Sequence, residues 1–337
     1  MQPSKGAVEF PILESLRAFA ATSVCLYHFV CTTTDYVHNP TVLSIFRHGE
    51  YGVHLFFIIS GFIIPYSMYR GRYQLKNFFV FLGKRLLRLE PPYIVSVLIA
   101  LILMTLRQHF YGDTGKGELS FMRVFLHFGY LIPFFQEQYN WINQVYWTLA
   151  IEFQYYIFMG LLFVPLTQNK LMYRIGIYML FAGSLFFNEN ANLIYWLPVF
   201  LLGIILFLDY IKQITKWEFW ILVPCIFAWA LTQFHFGGVV IMGLGFYAIL
   251  KYKTYSTVLG DFLGKMSYSF YLFHPLLGGT IINVLSHSYN SPIEKVFVFV
   301  TGFILTVFGS YIMYLLVEKW SRKLSKKIVY SKPVSAE

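Results

Sequence analysis

Apolar residues in this chain come in long runs separated by short polar or basic stretches, and the pattern continues from position 10 to position 317. At ~1.5 Å rise per residue, a helix of about twenty apolar residues crosses the ~30 Å hydrocarbon core of a bilayer. The pattern predicts ten spans, at 10–30, 51–69, 92–106, 146–166, 175–187, 193–208, 220–231, 238–250, 267–286 and 296–317. The apolar stretch 121–135 is too short for a span and reads as a re-entrant or interfacial segment. Polar loops are expected at 32–50, 111–119 and 286–295. The fold class is therefore all-α, a polytopic transmembrane helical bundle. One integral-membrane domain covers 10–317, and 318–337 reads as a basic, polar cytoplasmic tail.

Composition agrees. The chain is 57% hydrophobic, 20% aromatic and only 12% charged, against about 25% charged for soluble domains. In a soluble protein the net charge of +10 would suggest nucleic acid. Here basic flanks of membrane helices account for it, so the expected surroundings are lipids and no nucleic acid. An even number of spans puts both termini on one side. With the N-terminus inside, 20 of the 26 Lys and Arg fall in cytoplasmic segments, which predicts an N-in, C-in topology. The first span carries charges and lacks a small-residue cleavage site, so it reads as a retained helix, not a signal peptide. Cys25, Cys31 and Cys225 have no metal-ligand spacing and read as structural, and no metal is expected.

Ionisable groups inside apolar runs change the picture, because each costs roughly 2.5–3.5 kcal/mol at mid-membrane on insertion scales. Arg17 and His28 are eleven residues apart, about three turns at ~3.6 residues each, and so share one helix face. Glu14 lies where it can pair with Arg17. A bland role also fits this pair: snorkelling that fixes the depth of the helix. Lys84, Arg85 and Arg88 precede a Pro-Pro pair at the start of the third span. Arg85 and Arg88 share a face suited to bidentate grip on a diphosphate, or they simply anchor the inner end. Ser60-Gly61-Phe62 places small residues in mid-span, as close helix packing requires. Glu152 lies in an apolar run and needs a partner, with Arg17 and His28 as candidates, and His274 precedes a kinking Pro275.

Taken in order, Arg17-x10-His28, Phe-Phe-x-x-Ser60-Gly61-Phe62, the basic cluster before Pro-Pro-Tyr, Trp-x4-Glu152-Phe-Gln-x-Tyr and Ser-Tyr-Ser-Phe-Tyr-Leu-Phe-His274 resemble the membrane acyltransferase-3 family, over nearly the whole chain. The resemblance implies an O-acyltransferase of stand-alone type in a bacterial inner (cytoplasmic) membrane. Its acyl donor would be cytoplasmic acyl-CoA, usually acetyl-CoA, and its acceptor an extracytoplasmic glycan such as O-antigen lipopolysaccharide or another surface polysaccharide. It further implies catalytic roles for His28, Arg17 and Glu152, with His274 a lower-ranked acid/base. Lys84, Arg85, Arg88 and the Ser60-Gly61-Phe62 signature would handle the acyl-CoA. Lys84 stands where the family commonly has Arg, which keeps the charge and loses the bidentate fork. The rival class is a transporter or flippase of a lipid-linked glycan, which also uses intramembrane Arg, Glu and His. Against it, the sequence has no inverted repeat, and dependence on acyl-CoA separates the two.

Overall fold

The computed structural model describes residues 10–34, 36–112, 120–168, 170–183, 186, 191–289 and 291–330. Most of the expected loop 111–119, the end of the expected 175–187 span and the last seven residues of the tail lie outside them. Among the described residues every regular element is helical. Five stretches are long and apolar enough to cross a membrane: Pro40–Arg70, Leu75–Phe110, Tyr146–Thr167, Leu193–Tyr210 and Pro292–Lys327. Leu171–Gly183 and Phe236–Lys251 are shorter apolar helices.

The helices are α1 (Pro11–Tyr27), α2 (Pro40–Arg47), α3 (Gly52–Arg70), α4 (Phe78–Tyr111), α5 (Phe121–Phe128), α6 (Tyr146–Thr167), α7 (Leu171–Gly183), α8 (Leu193–Tyr210), α9 (Lys216–Gln233), α10 (Phe236–Lys251), α11 (Val258–Lys265), α12 (Ser267–Phe273), α13 (Thr280–Leu285), α14 (Pro292–Met313) and α15 (Lys319–Lys327). At the centre, α3 and α8 pack closely because Gly61 meets Gly203 and the Phe200 carbonyl, where any Cβ would collide. The apolar windows of α3 and α8 are 78% buried, whereas those of α4 and the α14–α15 stretch are 28% and 22% buried. The outer helices instead expose large apolar side chains such as Leu98, Ile102, Ile304 and Phe308. An apolar outer surface around a packed centre is what a lipid solvent demands. The three cysteines are free, with Cys25 in the core.

Two expectations from the sequence are corrected. First, Pro91-Pro92 does not start a new span, because α4 runs through both prolines from Phe78 to Tyr111. Pro92 has no N–H to give the Arg88 carbonyl, and the Ser321 hydroxyl reaches that carbonyl at 3.0 Å, sharing its one proton with the Glu318 carbonyl at 2.9 Å. The basic cluster thus lies within the helix rather than ahead of it. Second, the expected division at 317/318 falls inside one continuous helical stretch, Pro292–Lys327. Residues 318–330 of the expected basic tail are held to the rest of the chain. Lys84 donates to the Ile328 carbonyl and Asn77 to the Tyr330 carbonyl, so the segment is stapled to α4 and the turn before it.

Three π-helical turns interrupt the α-helices: His28–Thr32 continues α1, Pro275–Gly279 joins α12 to α13, and Tyr314–Glu318 joins α14 to α15. Such bulges often mark functional sites, because the wider turn redirects a side chain. Here His28 opens the first turn, His274 directly precedes the second and Glu318 closes the third.

Candidate active site

Two chambers hold the ionisable groups. The inner one has about 890 Å³ of space unoccupied by atoms, and its walls include Arg17 of α1, Ser60 of α3, Arg85 and Arg88 of α4, Glu152 and Tyr156 of α6, Tyr268 and Tyr271 of α12, Glu318 and Arg322. Four arginines therefore converge on one cavity. Arg17 pairs with Glu14 at 3.5 Å. Arg322 lies 3.5 Å from Glu318 and 3.8 Å from Glu14. Glu318 also accepts from the Ser269 backbone N–H and hydroxyl at 3.1 and 2.7 Å.

Glu152 pairs with neither Arg17 nor His28, the partners expected from sequence. Its Oε1 accepts from the Ser60 hydroxyl at 3.1 Å and the Tyr156 hydroxyl at 2.6 Å. Arg85 and Arg88 make no ion pair among the described residues. The Arg85 guanidinium lies over the Phe81 and Tyr156 rings at 5.4 and 5.8 Å, and its Nε and Nη2 have no hydrogen-bond partner. A buried cation held only by aromatic faces lacks the counter-charge that normally offsets its desolvation. The chamber is thus prepared for an anion.

The outer chamber, about 640 Å³, is lined by His28, Thr32 and Thr33 on one side and by Asn143, Gln144, Pro275 and Thr280 on the other. His28 Nδ1 lies 2.8 Å from Thr32 Oγ1, and that hydroxyl donates to the His28 carbonyl at 3.3 Å. With the Thr32 proton on the His28 carbonyl, Nδ1 is the donor and Nε2 keeps its lone pair; with that proton on Nδ1 the tautomer reverses. His274, fully buried, is 5.2 Å from His28 between ring centroids. Pro275 cannot donate to the Tyr271 carbonyl, and His274 Nδ1 approaches that same carbonyl at 2.8 Å. A carbonyl only accepts, so His274 carries its proton on Nδ1, and its Nε2 has no partner.

Phe56, Thr148 and Tyr271, all on the wall of the inner chamber, form a layer whose Tyr271 ring lies 5.9 Å from the His274 ring between centroids. The Tyr271 hydroxyl donates to Thr148 Oγ1 at 3.0 Å while Thr148 donates to the Val145 carbonyl at 2.9 Å. The Phe56 ring packs edge-on against Tyr271, 5.3 Å between centroids. Asn143 ties the layer from the outer side through the Leu272 carbonyl, at 3.1 Å.

Such a division, with a cation-lined chamber on one side and a histidine pair on the other, suits transfer of a group between two substrates that never share a solvent. Residues 10–315 match the acyltransferase-3 family, Acyl_transf_3, described as an acyltransferase domain. The chain belongs to that family. Similar acyltransferase-related proteins include one from Acidianus two-tailed virus named "Putative acetyltransferase", 29% identical over 293 residues, covering 79% of this chain and 83% of the viral protein. Another, from Staphylococcus aureus (strain COL), is named "Putative O-acetyltransferase" and is 28% identical over 193 residues, 52% of this chain and 29% of its own length. No solved structure matches.

Within this acyltransferase, the residues singled out by sequence divide three ways. Arg17, Ser60, Arg85, Arg88 and Glu152 share the inner chamber, and His28 and His274 form the outer pair. Lys84, Gly61 and Phe62 belong to neither. Lys84 holds the C-terminal segment and lies over the Tyr330 ring, Gly61 packs on α8, and Phe62 is fully buried against Phe10 and Tyr66. The sequence reading missed Glu318, Arg322, Tyr156, Thr148 and Tyr271. Glu318 and Arg322 were discoverable in principle, as an i, i+4 ion pair on a basic amphipathic helix.

Proposed function

We propose that the protein transfers an acyl group, most simply acetyl, from cytoplasmic acyl-CoA to a hydroxyl of an extracytoplasmic glycan such as a surface polysaccharide. The observation that carries this reading is the pair Arg85 and Arg88, two cations without carboxylate partners in a chamber one aromatic layer away from a histidine base. The acyl-CoA phosphates occupy these two guanidiniums, with Arg17 and Arg322 completing the positive wall. The Lys/Arg distribution supports an N-in, C-in reading, in which that wall faces the cytoplasm and His28 the outside.

The pantetheine arm then passes the Tyr271–Thr148 layer and brings the thioester to His28. His28 Nε2 takes the proton of the acceptor hydroxyl as its oxygen bonds to the thioester carbonyl carbon. The tetrahedral oxyanion collapses, the carbon–sulfur bond breaks, and the leaving thiolate takes the proton back from His28. His274, hydrogen-bonded to the helix backbone, holds the ring stack that fixes the His28 position.

Radiolabelled acetyl-CoA supplied to inside-out membrane vesicles tests the reading. Label reaching glycan in the wild type and not in His28→Ala establishes donor, direction and base together. Absence of label from any acyl-CoA, in vesicles holding folded protein and acceptor glycan, returns the protein to the transporter class.

A further inference from the structure

A third cavity, about 1100 Å³, opens beside the histidine chamber and is used by nothing in the mechanism above. Its walls come from helix ends and the turns beside them: Glu50 and Tyr51 before α3, Gln136 and Trp141 before α6, Tyr195 and Trp196 in the first turn of α8, Gln233 at the end of α9, and Phe234 and His235 between α9 and α10. Trp147, in the first turn of α6, completes it. One stretch of chain serves both cavities, since Trp141 and Trp147 line this cleft while Ile142, Asn143 and Gln144, between them, line the His28 chamber.

Trp147 and Trp196 lie 5.4 Å apart at 36°, and Trp196 and Phe234 lie 5.3 Å apart at 35°, a row of tilted rings in which Trp196 is buried and Trp147 and Phe234 are partly exposed. Tyr195 meets Phe234 edge-on at 77°. Interfacial aromatic belts point outward to lipid head groups. These rings instead turn on one another around a void. Polar side chains are set into the same wall: Glu50 and Gln136 at the rim, the Gln233 amide with neither nitrogen nor oxygen bonded, and His54 Nε2 without a partner. Unpaired buried amides are costly and persist where a ligand satisfies them.

We propose that this cleft binds the carbohydrate acceptor, stacking a pyranose on the partly exposed Trp147 and Phe234 rings and bonding its hydroxyls through Gln233 and Glu50. A sugar ring offers the matching chemistry. Its C–H face is electropositive and suits the negative face of an aromatic ring, while its rim of hydroxyls both donates and accepts. A lipid tail would leave every polar group in the wall unpaired. The assignment rests on the acyl-transfer reading for its role, since the glycan held here presents its next hydroxyl toward His28.

The full chain in nanodiscs, free of sugar-headed detergents, is titrated with maltotetraose, chitotetraose and mannotetraose while tryptophan emission is followed. A saturable change with at least one of them is expected, weakened about tenfold in Gln233→Ala through loss of hydrogen bonds to sugar hydroxyls. Trp147→Ala loses the change and Trp147→Phe regains binding. In vesicles, Gln233→Ala raises KM for the acceptor by more than it changes kcat. No saturable change with any of the three sugars, or wild-type binding by Gln233→Ala, overturns the proposal. Sugar binding without any use of acyl-CoA overturns the acyl-transfer reading and leaves the cleft standing. Acyl transfer with unaltered acceptor KM in Gln233→Ala overturns the cleft alone.

Discussion

The inner and outer chambers solve opposite electrostatic problems. The inner one gathers four guanidiniums and offsets only two of them, Arg17 and Arg322, with Glu14 and Glu318. The outer one is lined by no carboxylate, Lys or Arg; its polar groups are the His28 imidazole, amides and hydroxyls. An uncompensated cation suits an anionic ligand that must be bound and released. A neutral base beside neutral donors suits a proton that must be taken and returned in one turnover. On the proposed reading, binding energy and chemistry fall on different sides of one tyrosine layer, and substitutions on the two sides are expected to move different kinetic constants.

The largest effect is expected at the outer side. His28→Ala removes the base, and general base catalysis is worth about 10²–10⁴-fold. Initial rates of label transfer should fall by that factor with KM for acyl-CoA unchanged, whereas a rise in that KM would place His28 in the donor site. Next comes the inner side. Arg88→Ala removes charge-assisted hydrogen bonds of about 1.5–3 kcal/mol, so KM for acyl-CoA should rise about 10–100-fold while kcat stays near wild type. Arg85→Lys keeps the charge and loses the planar fork, and should recover only part of the loss seen in Arg85→Ala. A full recovery would make Arg85 a point charge, not a bidentate ligand.

Tyr271→Phe acts on the layer itself. It deletes the hydrogen bond to Thr148, a loss of about 0.5–1.5 kcal/mol, and leaves the ring packed on Phe56. If the layer separates the chambers, the variant should release more free CoA per acyl group transferred, read as thiol appearance against labelled glycan. An unchanged ratio would mean that the partition lies elsewhere.

How much of this was legible in the chain follows from what each signal encodes. Helix positions are written in hydropathy: the apolar runs lie in helices wherever the structure describes them, and five stretches are long and apolar enough to cross a membrane. Arg17, Arg85, Arg88 and His28 were legible because a charge or imidazole inside an apolar run is conspicuous. Their partners were not. Glu152 was matched to the wrong groups because sequence shows that a carboxylate needs company, and not that Ser60 and Tyr156 are nearer than any arginine. The continuity of α4 through Pro91-Pro92 was hidden because the compensating donor, Ser321, lies more than two hundred residues away. Arg322 was hidden by its setting, since a basic amphipathic end reads as a tail until Lys84 and Asn77 are seen to hold it.

The smallest effect sharpens the comparison most, because it concerns a cation that belongs to neither chamber. By sequence, Lys84 is equivalent to Arg85 and Arg88, three basic residues within one and a half turns. In the structure its ammonium donates to the Ile328 carbonyl at 3.0 Å and lies 5.2 Å from the centroid of the Tyr330 ring. Lys84→Ala should therefore lower stability by about 1 kcal/mol, the worth of one such hydrogen bond. The loss would be read as earlier thermal unfolding and faster proteolysis of the C-terminal segment. KM for acyl-CoA should not move. A change in KM comparable to that of Arg88→Ala would return Lys84 to the donor site and make the cluster a single basic patch. The predicted split would show instead that three adjacent positive charges are divided by helix geometry, two facing the anion and one pinning the segment that brings Arg322 and Glu318 into the wall.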